Sequence, residues 1–186
     1  IKHNDTIIRT VCGLRKFGNE GIYTSPLSEN EISYEETYMN KANGEYCSVS
    51  AFKQDEIIYF VIRSKNVSLI VRPNNVELDL AIYEGDRYLF SRLMTIAFFK
   101  KYNSLTQEQQ NNLIKIILEN TINMEYCSPD YQHIIDYHGK ETLFPFAITR
   151  FSELKYGLTS YLPDDALDIF LDLGFEEIPF SYTVYA

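Results

Sequence analysis

Ile57-Ile58-Tyr59-Phe60-Val61-Ile62-Arg63 is apolar nearly throughout and rich in branched and aromatic side chains, which reads as a central strand covered on both faces. The runs on either side extend the pattern. Residues 46–53 alternate, residues 67–72 are rich in branched side chains, and Val76, Leu78, Leu80 and Ile82 alternate with Glu77, Asp79 and Tyr83, giving four expected strands between Glu45 and Glu84. Their connections, Gln54-Asp55, Lys65-Asn66 and Pro73-Asn74-Asn75, are short. Parallel crossovers need about a dozen residues or more, so antiparallel hairpins are expected.

Helical periodicity begins immediately afterwards. Asp86 caps an expected helix over 86–102, with Leu89, Phe90, Leu93, Ile96 and Ala97 at helical spacing and Lys100 and Lys101 at the C-terminal end, where the helix dipole favours cations. Thr106 and Gln109 form a capping box ahead of a second expected helix over 107–123, whose buried stripe is Leu113, Ile114, Ile117 and Leu118. The fold class expected is therefore α+β, with an antiparallel sheet of at least five strands covered on one face by these helices.

The flanking regions are less regular. Residues 6–17 alternate as a first strand would, with Ile8, Cys12 and Leu14 on one side and Arg9, Val11 and Arg15 on the other. Residues 18–44 form a long acidic excursion, with Glu20, Glu29, Glu31, Glu35 and Glu36 against Lys41 and short elements only around Ile22 and 32–39. Short elements are also expected at 131–138 and 144–156, an acidic helix over 164–173 stopped by Gly174, and a terminal strand carrying Ile178, Phe180, Tyr182 and Val184. A length of 186 residues is most economically one domain spanning 1–186.

Charge is distributed unevenly. The chain carries 26 acids and 17 bases, a formal charge of −9. From residue 120 onward there are eleven acids against three bases, whereas the remainder is nearly neutral. Such a balance repels nucleic-acid phosphate, so direct nucleic-acid binding is disfavoured and a basic protein partner is favoured. Cys12, Cys47 and Cys127 are odd in number and lack CxxC spacing, which argues against a disulfide framework or a zinc site and for a cytoplasmic location. No run reaches the roughly eighteen apolar residues of a membrane span, and no segment at the start of the sequence reads as a signal peptide.

Chemical motifs are sparse. His133, Asp136 and His138 are the one place where two histidines and an acid approach in sequence, yet a separation of five residues places the histidines about 140° apart on a helix. Gly13, Gly18 and Gly21 match neither phosphate-loop spacing, and no GxSxG elbow is present. Neither catalytic residues nor a metal or cofactor are expected.

The expected helix over 164–173 carries the best functional signal. Leu167, Phe170 and Leu171 fall on one side, while Asp165, Asp168 and Asp172 lie within about 60° of one another on the other. Asp172 stands in the last turn, where the dipole disfavours an anion, and four residues from Asp168, a like-charge spacing that costs about 0.2–0.5 kcal/mol. Glu176 and Glu177 extend the charge past Gly174, and Tyr161, Phe175 and Tyr182 are candidate aromatic anchors beside it. An anionic docking surface made of Asp165, Asp168, Asp172, Glu176 and Glu177, with Tyr161 and Tyr182, is the expected partner-binding site.

In general profile such a small, acidic chain with fifteen tyrosines, no tryptophan and no catalytic motif resembles the immunity proteins that bacteria make to neutralise secreted toxins, including those of contact-dependent inhibition systems. The resemblance implies a non-enzymatic cytosolic protein that binds a basic toxin domain, often a nuclease, and blocks it with anionic side chains. It would place Asp165, Asp168, Asp172, Glu176 and Glu177 at the contact, with Glu35 and Glu36 as a second patch. The competing readings are a nucleic-acid mimic that inhibits a host protein and a hydrolase or transferase with dispersed catalytic residues.

Overall fold

The computed structural model describes residues 1–14, 34–131, 139–153, 157–178 and 180–185, with the backbone alone for 34–36 and for Phe180–Tyr185. In chain order the strands are β1 (Lys2–His3), β2 (Thr6–Ile7), β3 (Tyr34–Met39), β4 (Glu45–Gln54), β5 (Ile57–Arg63), β6 (Ser68–Val71), β7 (Thr121–Cys127), β8 (Thr142–Phe151), β9 (Leu158–Ser160) and β10 (Phe180–Tyr185). The helices are α1 (Val76–Leu80), α2 (Leu89–Ser104), α3 (Gln107–Glu119) and α4 (Pro163–Asp172). Six strands form one antiparallel sheet in the order β6-β5-β4-β7-β8-β9. The α+β architecture is the expected one.

The β4–β5 hairpin turns through Asp55 and Glu56, one residue later than the sequence reading, with φ of 48° and 64°. Two consecutive left-handed residues make the type I′ turn, whose twist matches that of the flanking strands. The register then places Val49 opposite Ile62 and Ala51 opposite Phe60, while β5 aligns Ile62 with Leu69 and Phe60 with Val71. These side chains share one face with Cys47, Ile122, Met124 and Ile148, and that face meets Met94, Phe98 and Phe99 of α2, Leu113 and Ile117 of α3 and Leu167 and Phe170 of α4. Phe60 is the centre of the contact. Its ring lies 5.3 Å from that of Phe99, 5.5 Å from Tyr102 and 5.9 Å from Phe98.

The expected fourth strand is instead helix α1. Val76 and Leu80 stand four residues apart, a spacing that serves a helix as well as a strand, and only Leu80 of this element is buried, while Leu78 and Ile82 are 70% and 74% exposed. The outer edge of β6 is occupied in another way. The Tyr83 hydroxyl accepts the Ile70 N–H at 3.0 Å and donates to the Ile70 carbonyl at 3.2 Å, and the Asp79 carboxylate accepts the Arg72 N–H at 2.7 Å. Side chains thus satisfy the edge groups that a further strand would have paired, which blunts the edge against association. The Arg72 guanidinium also pairs with Asp79.

The second expected helix is shorter than its apolar pattern suggests. Its capping box is present, with the Gln109 N–H donating to Thr106 Oγ1 and the Thr106 N–H to Gln109 Oε1, but α3 ends at Glu119. Asn120 is extended and its amide donates to the Ile116 carbonyl at 2.9 Å, so residues 121–127 leave as β7, the partner of both β4 and β8. The first expected helix begins as a 3-10 turn at Asp86–Tyr88 and continues as α2; Asp86 does not cap it, since it lies inside the turn and neither start carries a side-chain cap bond. The short element expected at 144–156 is the ten-residue strand β8, and that at 131–138 lies almost wholly outside the described residues.

The strand expected over 6–17 reduces to a two-residue β2, paired with β1 around Asn4 and Asp5, while the rest of its described part, 8–14, has no regular structure. That segment is held by side chains of the sheet face opposite the helices. Asn123, fully buried on β7, accepts the Leu14 N–H at 2.9 Å and the Tyr46 hydroxyl at 2.6 Å, and its amide donates to Thr149 Oγ1 at 3.0 Å and to the Thr121 and Ala147 carbonyls at 3.3 Å. Thr149 in turn donates to the Cys12 carbonyl at 2.6 Å. Gly13 passes so close to Tyr46 that a Cβ there would collide with the hydroxyl, which accounts for this glycine without any phosphate loop. Within the excursion expected at 18–44, Tyr34–Met39 is strand β3, paired antiparallel with β10.

Two outcomes follow for stability. Replacing Asn123 by Ala leaves two half-buried donors without their acceptor and should cost about 2 kcal/mol in urea unfolding, with loss of amide-exchange protection at Leu14. The hydrogen bond from Arg72 holds the Asp79 carboxyl below its usual range. A depressed folded pKa stabilises above the unfolded value of about 4 and is lost as pH falls through the folded one. Between pH 5 and pH 2 the melting temperature of the wild-type chain should therefore fall further than that of Asp79→Asn.

Candidate anionic docking surface

Helix α4 starts with Pro163 at its first position and Asp164 and Asp165 in the first turn, where a missing N–H is harmless and negative charge is favoured. It stops at Gly174, whose φ is +80°; the Gly174 N–H donates to the Leu171 carbonyl and the Phe175 N–H to the Phe170 carbonyl, the two bonds of a Schellman motif. Ala166, Leu167, Phe170 and Leu173 are buried, and the helix packs on β8. The opposite side is anionic, with Asp165, Asp168 and Asp172 all exposed.

Two features differ from the sequence reading. Leu171, expected in the buried stripe, is 44% exposed and lies on the flank of the acidic face. Phe175, expected as an aromatic anchor, is only 5% exposed and belongs to the core, because the Schellman turn folds the chain back under the helix. Tyr161 is 41% exposed and Leu162 66% exposed just ahead of the helix, so the acids are bordered by apolar side chains that a partner could cover.

The last turn of α4 adjoins the first turn of α3. The Gln109 side chain, which also belongs to the capping box of α3, donates to the Asp172 carbonyl at 3.2 Å. The positive end of one helix dipole is thereby set beside the negative end of another. This tertiary contact offsets part of the cost that isolated-helix reasoning assigns to an anion at position 172.

Glu176 and Glu177 are both exposed, but Glu176 borders a different feature. It lines a cleft of about 250 Å³ between the end of α2 and the start of β8, together with Lys100, Lys101 and Lys140. This basic cluster was not legible in the sequence. Lys100 and Lys101 read there only as helix-end cations, and Lys140 is separated from them by some forty residues, so no spacing rule connects them.

Among the described residues, none of Asp165, Asp168, Asp172, Glu176 and Glu177 forms an ion pair with a base; the pairs present are Lys53–Glu56, Arg72–Asp79, Lys100–Glu141 and Arg150–Glu119. The backbone of Tyr182 lies opposite Thr37, and those of Glu36 and Glu35 lie opposite Thr183 and Val184. The second acidic patch and the candidate Tyr182 therefore occupy one two-stranded ribbon. His133, Asp136 and His138 lie outside the described residues, and among the described residues no group of three or more His, Cys, Asp or Glu side chains could hold a metal ion. Among those residues, too, no helix is long and apolar enough to cross a membrane.

Comparison of the chain with known protein families, with curated proteins and with solved structures finds no match.

The Schellman turn sets how the acidic face is presented. In Gly174→Ala the new Cβ would lie 2.9 Å from Gln109 Nε2 on a backbone of positive φ. The substitution should destabilise the fold by about 1–2 kcal/mol in denaturant unfolding.

Proposed function

We propose that this chain is a non-enzymatic binding protein whose α4 face docks a basic protein. A cytosolic immunity protein that blocks a cationic toxin domain, a nuclease for example, is the reading that fits best. The observation that carries it is the exposure of Asp165, Asp168 and Asp172 along one helical face, without internal cations paired to them among the described residues. Tyr161, Leu162 and Leu171 add apolar area beside the charge, the composition expected where a lysine- or arginine-rich surface is to be both steered and buried.

The three α4 acids form the centre of the proposed contact, with Glu177 at its margin. Glu176 contributes least, because three lysines share its cleft. Charge of this kind acts first on encounter. Steered association gains roughly 10- to 1,000-fold in rate and weakens as salt screens the field.

The test uses the toxin domain encoded beside the gene, or the basic protein that salt releases from the immobilised chain in an extract of the native cells. Neutralising Asp165, Asp168 and Asp172 together to Asn should slow association with it by about tenfold or more and flatten the dependence of the rate on ionic strength. An unchanged rate and salt slope for the triple variant would sink the docking reading. Intact binding without inhibition of the toxin would remove the immunity function alone.

A further inference from the structure

The lysine cleft runs against the charge of the rest of the chain. In a protein of net charge −9, Lys100 and Lys101 from the last turns of α2 and Lys140 from the approach to β8 converge on one concavity of about 250 Å³. Two carboxylates share it, and the geometry shows how little they neutralise. Glu141 accepts a hydrogen bond from the Tyr126 hydroxyl at 2.8 Å through one oxygen, and its other oxygen reaches Lys100 only at 4.0 Å. Lys101 stands over the Phe175 ring, 5.8 Å from its centre, which supports a cation without cancelling its charge. Among the described residues, neither Lys101 nor Lys140 pairs with a carboxylate.

We propose that this cleft binds a small anion of the phosphate class. Three ammonium groups against two carboxylates leave local positive charge, and Thr142 in the same lining carries a hydroxyl able to donate. Lysine binds phosphate as a compact point charge with three rotatable donors, which can be shared among the several oxygens of a tetrahedral anion. The size agrees, since 250 Å³ is below the roughly 300–1,000 Å³ of sites for drug-sized ligands. The screening length is about 8 Å at physiological salt. An anion seated in the cleft therefore feels its lysines more strongly than the distant net charge.

The probe is inorganic phosphate, titrated at constant ionic strength and followed by amide chemical shifts. Saturable shifts confined to residues 97–104 and 140–143 and around Glu176 are expected. Lys100→Gln with Lys140→Gln should weaken the affinity by about tenfold, whereas Glu176→Gln should tighten it. Both lysines are exposed, so circular dichroism should show the double variant folded. Shifts that are diffuse and do not saturate, an adventitious ion only, would overturn the site. So would wild-type affinity in the double variant, and acetate binding as tightly as phosphate would overturn the assigned class. None of Asp165, Asp168 and Asp172 lines the cleft, so neutralising them leaves the saturable, lysine-dependent shifts in place, and failure of the docking reading is distinguishable from failure of this site.

Discussion

Strand β4 is hydrogen-bonded on one side to its hairpin neighbour β5 and on the other to β7, which the chain reaches only after three helices. That second pairing joins two antiparallel meanders, β6-β5-β4 and β7-β8-β9, into one sheet, and the rest of the molecule depends on it. It holds because the pair has two different faces. Toward the helices it presents Cys47, Val49, Ile122 and Met124, all fully buried. Away from them it presents Tyr46, Ser48 and Asn123. A polar sheet face with so little access to water needs partners for its donors and acceptors; Asn123 supplies them by using its whole amide, while the buried Ser50 hydroxyl on the same face has none among the described residues. The N-terminal segment completes the arrangement by supplying main-chain partners.

The same economy of partners explains the sheet edge and the acidic helix. At β6 a tyrosine hydroxyl and an aspartate stand in for a neighbouring strand. At α4 the buried side chains, the Schellman turn and the contact with Gln109 fix the helix firmly, and its charged side is left facing solvent. The acids and the lysine cleft are neighbours through Phe175 and Glu176, because the chain leaves α4 beneath the end of α2. The acidic segment stands out in the sequence itself, but the basic field set beside it is a tertiary product, made from lysines on segments some forty residues apart.

Much of the fold was legible where a single physical signal dominated. The run at 57–63 became β5 at the expected residues, the Thr106–Gln109 box opened α3, and Pro163 and Gly174 bracketed α4. Legibility failed where two signals competed. Residues 76–82 satisfy both a period of two and an i, i+4 pair, and the choice fell to side chains of Asp79 and Tyr83 that bond to β6. Ile122 stands four residues after Leu118 and so continues the helical spacing of α3, yet the pairing available between β4 and β8 drew residues 121–123 into the sheet. Of the candidate site, the three α4 acids were legible from their spacing, whereas the burial of Phe175 and the lysine company of Glu176 were not.

The sequence by itself determined the class of fold, the hairpins around residues 45–71, the capped start of α3, both ends of α4 and the face of α4 on which its acids stand, because each of these rests on interactions within a few residues. Only the tertiary structure decided which strands meet in the middle of the sheet, which edge is closed by side chains and which lysines gather around Glu176. Those outcomes join residues tens of positions apart, and local periodicity carries no information about which distant surfaces will be pressed together when the apolar faces are buried.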